Sequence, residues 1–283
     1  MRLRGITRSR NIEDRRGRSG RRGRRGGAVG GLGIGGILIV LVIGWLTGVD
    51  VMPLLSGGSA PATASRPLTE ADAREGEFAA RVLATTEAVW SREFPAQVGR
   101  AYTPPVMVLF SGTTTSPCGG ASGATGPFYC PADNKAYLDT AFFTTMRDRL
   151  GAGGDFAAAY VIAHEVAHHV QNELGVLAQV QQARRGASET QANNITMRSE
   201  LMADCLSGIW ARNVGELMER GDLQEALNAA RMIGDDHLQR QAGRVPQPHT
   251  FTHGTSEQRA RWFERGYDSG NMRDCDTFAT DRL

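Results

Sequence analysis

Six consecutive residues concentrate the chemistry of this chain: His164-Glu165-Val166-Ala167-His168-His169. They contain the pattern H-E-x-x-H. On an α-helix, residues i and i+4 share a face, so the His164 and His168 imidazoles can reach one metal ion. Glu165, rotated by about 100°, can reach a water at that ion. This is the donor set of a hydrolytic zinc site with Glu165 as general base. A bare pair of histidines at a core edge would leave the glutamate between them unexplained. His169 points away from His164 and reads as a supporting or surface residue.

A catalytic zinc normally has three protein ligands and one open position. The extension H-E-x-x-H-x-x-G-x-x-H requires glycine at position 171 and histidine at 174, and the chain has Gln171 and Leu174 there. The remaining common donor is an acid on a second helix. Segment 195–213, ITMRSELMADCLSGIWARN, places Ile195, Met202, Leu206, Ile209 and Trp210 at helical spacing. Its other side carries Glu200 and Asp204, an i, i+4 pair. Glu200 is the candidate third ligand. Asp204 is placed to accept the free ring N–H of a ligating histidine. Taken alone, the pair would equally suit a solvated acidic face matched by Arg198 or Arg212. The need of H-E-x-x-H for a third ligand favours Glu200.

These residues need two helices. Phe156, Tyr160, Ala163, Ala167, Val170 and Leu174 form a core-facing stripe, with Asp155 as N-cap and Gly175 as stop. Ser188 and Gln191 form a capping box ahead of the second helix, expected from about 191 to 213. Further helices are expected from Thr69 to about 93, stopped near Pro95, and over 141–150, 222–233 and 256–266. Val106–Phe110, Phe128–Cys130 and 135–138 read as strands, and 111–127 as a Gly/Ser/Thr loop. The fold class is α+β: a mostly helical domain with a small β-sheet.

H-E-V-A-H-H followed by R-S-E-L-M-A-D-C resembles the bacterial putative neutral zinc metallopeptidase family, among the zincins with a glutamate third ligand. P-F-Y-C-P-A-D at 127–133, Y-L-D at 137–139 and G-T-S-E-Q-R at 254–259 support the likeness. It covers most of 68–283, and the basic N-terminus with one membrane segment after it. The resemblance implies metallopeptidase chemistry without naming a substrate.

Charge is unevenly spread. Of 32 basic and 30 acidic residues, eleven arginines and two acids fall within 1–25, so the remainder holds 21 against 28, a net of −7. Residues 26–49 carry no charge, a run long enough to span a bilayer, with Trp45 near its far end. The arginines then read as a positive-inside signal. The expected organisation is a basic cytoplasmic arm (1–25), one transmembrane helix (26–49), a flexible linker (50–67) and a zinc metallopeptidase domain (68–283). That places the chain in the inner or plasma membrane as a single-pass protein, with the domain periplasmic or extracellular. A cleaved signal peptide competes, but the apolar run exceeds an ordinary h-region.

All four cysteines follow that run. In an exported domain they suggest two disulfides. Cys118–Cys130 would close the Gly-rich loop, and Cys205–Cys275 would tie the Glu200 helix to the C-terminal region. No C-x-x-C spacing offers cysteine as a zinc ligand.

The expected function is a membrane-anchored peptidase using one Zn2+ held by His164, His168 and Glu200. Glu165 serves as base, and His253 is a candidate oxyanion donor that competes with a structural role. The partners are a peptide or protein substrate and the membrane, through 26–49. Nucleic acid is not expected, since the basic arm adjoins an apolar run and the domain is acidic. The alternative is a catalytically silent membrane scaffold that keeps a zinc site.

Overall fold

A computed structural model describes residues 1–17, 68–122 and 126–283. A four-stranded sheet and eight α-helices enclose a common core among these residues. The transmembrane expectation for 26–49 and the linker expectation for 50–67 lie outside the described residues. Among the described residues, no helix is long and apolar enough to cross a membrane.

The sheet has the order β1 (Ile12–Asp14), β2 (Val106–Phe110), β6 (Lys135–Asp139), β5 (Phe128–Cys130). The first three strands run parallel, and β5 runs antiparallel to β6 with Tyr129 opposite Ala136. Between β2 and β5 lies a hairpin, β3 (Thr113–Ser116) with β4 (Gly119–Ser122). The 111–127 segment is therefore not a plain loop. Three consecutive threonines pair across the turn, a preference that its glycines mask in the sequence.

The first helix, α1 (Glu70–Val98), begins at a Thr69–Asp72 capping box and runs through Pro95 to Gly99. It was expected to stop near Pro95. Proline removes one hydrogen bond near the end of a long helix, and buried Phe94 holds that turn against the core. After α2 (Ala141–Arg149) comes the metal-motif helix, α3 (Asp155–Glu173), which is buried along nearly its whole length. Gly154, not Asp155, occupies its N-cap, because the Asp155 carboxylate turns to the Met1 amine at 2.8 Å. Gly175 takes the left-handed conformation just past the helix end, as expected.

The short helix α4 (Val176–Arg184) leads into α5 (Glu189–Asn213), which starts at the predicted Ser188–Gln191 box. Then follow α6 (Asp222–Met232), α7 (Asp235–Gln241) and α8 (Ser256–Ser269), the last running one turn beyond the expected end. Both expected disulfides are present, Cys118–Cys130 and Cys205–Cys275.

Residues 1–17 contain β1 and lie against α1, with Met1 and Leu3 in the core. Both acids of this segment are paired, Glu13 with Arg15 and Lys135, and Asp14 with Arg16.

Helices α5 and α8 approach until backbone meets backbone. A Cβ on Gly266 would lie 1.8 Å from the Cys205 carbonyl oxygen, and one on Gly208 would lie 2.1 Å from that of Phe263. Gly266→Ala is therefore expected to destabilise the fold by about 1–3 kcal/mol through overpacking. Thermal denaturation checks this, and an unchanged midpoint would contradict the close approach.

Candidate metal centre

Helices α3 and α5 bring His164, His168 and Glu200 together as the spacing predicts. One ligand atom from each lies within 4.8 Å of the others. His164 Nε2 is 3.1 Å and His168 Nε2 3.4 Å from the same oxygen, Glu200 Oε2. Both Nε2 atoms thus converge with one carboxylate oxygen. Burial alone would raise the Glu200 carboxyl, but the facing imidazoles of His168, His253 and His164 hold it well below the usual carboxylate range.

Each histidine is oriented through its other nitrogen. His164 Nδ1 is 2.9 Å from Asp204 Oδ1, the role expected of Asp204. His168 Nδ1 is 2.8 Å from Gln171 Oε1, and the Gln171 amide donates to the Ser199 carbonyl at 2.6 Å. With Nδ1 of each ring turned to these acceptors, both Nε2 atoms are left on the side of Glu200, where they would bind a metal. Two imidazoles and one carboxylate around an open side suit zinc in its catalytic form. The solvated-face reading of the acidic pair fails. Asp204 is fully buried, while Arg198 bonds to the Thr277 and Thr280 carbonyls and Arg212 to those of Tyr267 and Asp268.

Asp204 anchors more than His164. The Tyr160 hydroxyl donates to its Oδ1 at 2.6 Å. The Arg259 guanidinium closes the group as a fork, Nε to Oδ2 and Nη2 to Oδ1, both at 2.9 Å. Burial alone would raise the Asp204 carboxyl; Arg259 and His164 hold it at about 2. Neither Tyr160 nor Arg259 was assigned a role from sequence. Tyr160 belongs to the apolar stripe, and Arg259 comes from 55 residues away, on α8.

Glu165 is buried beside the histidines, and loss of hydration raises its pKa despite their proximity. His253 Nε2 lies 4.0 Å from Glu200 Oε2, on the same cleft. Its loop is wound around Asp235, whose Oδ2 accepts the backbone N–H groups of Thr252, His253 and Gly254. His169 is buried away from the ligands, as expected. Its Nε2 meets the Thr103 carbonyl at 2.6 Å and its Nδ1 the Tyr129 hydroxyl at 2.9 Å, which fastens α3 to β5.

The site opens into a cleft of about 440 Å³. Phe128 and Tyr129 of β5 border it, as do Phe142, Leu150 and Leu238. Cys118–Cys130 clips the β3–β4 hairpin to β5 at this rim. A second acidic group, Asp155, Asp222 and Glu225, has no imidazole, and two of its members pair with the Met1 amine.

Arg259→Leu should leave the Asp204 carboxylate unmatched and the His164 ring unfixed. Zinc affinity is expected to fall about 10–100-fold, the usual cost of removing an outer-shell partner. Competition with a chromophoric chelator measures it, and unchanged affinity would refute the role given to this network.

A family model described as "Putative neutral zinc metallopeptidase" matches residues 1–278. An Escherichia coli K12 protein named "Uncharacterized protein YpfJ" is 44% identical over 285 residues, covering 98% of this chain and 99% of that one. A Mycobacterium tuberculosis H37Rv protein named "Uncharacterized protein Rv2575" is 43% identical over 215 residues, 70% of each chain. No solved structure matches. With its H-E-x-x-H helix, its carboxylate helix and a family match over nearly its full length, the chain belongs to the putative neutral zinc metallopeptidase family.

Proposed function

We propose that this protein is a zinc-dependent peptidase that cleaves peptide bonds in the cleft above His164, His168 and Glu200. The observation that carries this reading is the convergence of three donor atoms from two helices with Glu165 beside them. A purely structural zinc site usually closes with four protein ligands and has no use for a neighbouring base. The open cleft and buried Glu165 therefore favour an enzyme over a silent scaffold.

Bound zinc would supply a Lewis acid that polarises the substrate carbonyl and acidifies a water. Glu165 takes the proton of the attacking water and passes it to the leaving nitrogen. Its raised pKa suits a group that must both accept and return a proton. His253 stands across the cleft. The Thr252 hydroxyl at 2.9 Å and Asp235 Oδ1 at 3.4 Å hold Nδ1, and a ring with its Nε2 protonated would donate to the developing oxyanion. Strand β5 pairs with β6 on one side and borders the cleft, so an extended substrate can add to its other edge as a further strand. The two disulfides support an oxidising compartment outside the cytoplasm as the domain's working place.

Glu165→Gln should retain zinc and lose hydrolysis of a peptide mixture by about 10²–10⁴-fold. Elemental analysis and product mass spectrometry measure the two outcomes together. Undiminished hydrolysis in a zinc-loaded Glu165→Gln protein would remove Glu165 as the base.

A further inference from the structure

The N-terminal residues are built into the domain that carries the site. Strand β1 lies in parallel register with β2, Ile12 opposite Met107 and Asp14 opposite Leu109. The Met107 amide donates to the Asn11 carbonyl and the Arg15 amide to the Leu109 carbonyl, both at 2.8 Å. The Lys135 ammonium bonds to Glu13 at 2.6 Å, linking β1 to β6. The Ser9 hydroxyl and the Asn11 amide both donate to the Glu87 carboxylate on α1, at 2.6 and 2.8 Å.

Arg16 is the most specific of these contacts. Its guanidinium is buried, bonded to the Asp14 carboxylate and to the Asp72 carbonyl. It lies over Gly76 of α1, where a Cβ would come within 2.3 Å of it. Glycine inside a helix is less favourable than alanine. Helix α1 therefore carries a residue that weakens it but admits Arg16.

These contacts bear on topology. Hydrogen bonds between β1 and β2 cannot form across a hydrocarbon layer about 30 Å thick. A chain crossing a bilayer an odd number of times between residues 17 and 68 would put the two strands on opposite sides. We infer that residues 1–17 and 68–283 occupy the same compartment, with β1 a working strand of the domain's sheet. This replaces the opposite-sides arrangement that the arginine-rich run and the apolar run suggest by themselves. The arginines are also partly accounted for without a membrane, since Arg15 and Arg16 satisfy Glu13, Asp14 and backbone carbonyls. The inference is independent of the zinc reading.

Single cysteines placed at Arg10 and Arg220 in the full chain test it. Both positions are exposed, and the native cysteines are paired in disulfides. Intact cells are treated with a membrane-impermeant maleimide, and each signal is normalised to its value after detergent. Arg10→Cys and Arg220→Cys should label to the same extent, whether both are reached or both are shielded. Labelling of one with protection of the other would place the segments on opposite sides and overturn the inference.

Discussion

A carboxylate shielded from water on every side needs donors at both oxygens, and Asp204 has them. His164, Tyr160 and Arg259 all converge on it from helices α3 and α8, while Asp204 itself stands on α5. An unpaired buried charge would cost several kcal/mol, so the three helices are held in the one arrangement that satisfies it. The close contact at Gly208 and Gly266 is what brings Arg259 within reach. The same carboxylate sets the direction of the His164 ring. Packing of the core and orientation of a candidate metal ligand are thus a single constraint.

Around that centre, further contacts hold the other histidines and the cleft rim. Gln171 spans from His168 to the Ser199 carbonyl, coupling the two ligand helices a second time. Asp235 shapes the His253 loop through three backbone N–H groups. His169 joins α3 to the edge strand through Tyr129, and the Cys118–Cys130 bridge fixes the neighbouring hairpin to that strand. Ligands, candidate donor and cleft rim are therefore positioned before any substrate arrives, which is the condition under which fixed dipoles act on a transition state.

The parts of the site legible in the sequence are those carried by local spacing. His164, Glu165 and His168 sit at i, i+1 and i+4, and Glu200 and Asp204 at i, i+4, so one helical period exposes each set. The supporting groups have no such signature. Tyr160 reads as an apolar stripe position, although its hydroxyl ends at a carboxylate. Gln171 reads only as a departure from the longer histidine motif. Arg259 reaches the site through a packing of α8 that no local pattern encodes. Among the elements, β1 is three residues long and lies inside an arginine-rich run, where charge dominates the reading. The hairpin of β3 and β4 is hidden by glycines. Long helices with caps were legible, as were the strands β2, β5 and β6; β1 and the β3–β4 hairpin were not.

The central claim is that two imidazoles and one carboxylate from two helices hold a single zinc. X-ray absorption at the zinc edge, on the full-length protein loaded with one equivalent, tests it most directly. Zinc held by His164, His168 and Glu200 should show a first shell of two imidazole nitrogens and light oxygen donors, with one histidine signal lost in His168→Ala. A shell containing sulfur, or an unchanged spectrum in that variant, would contradict it.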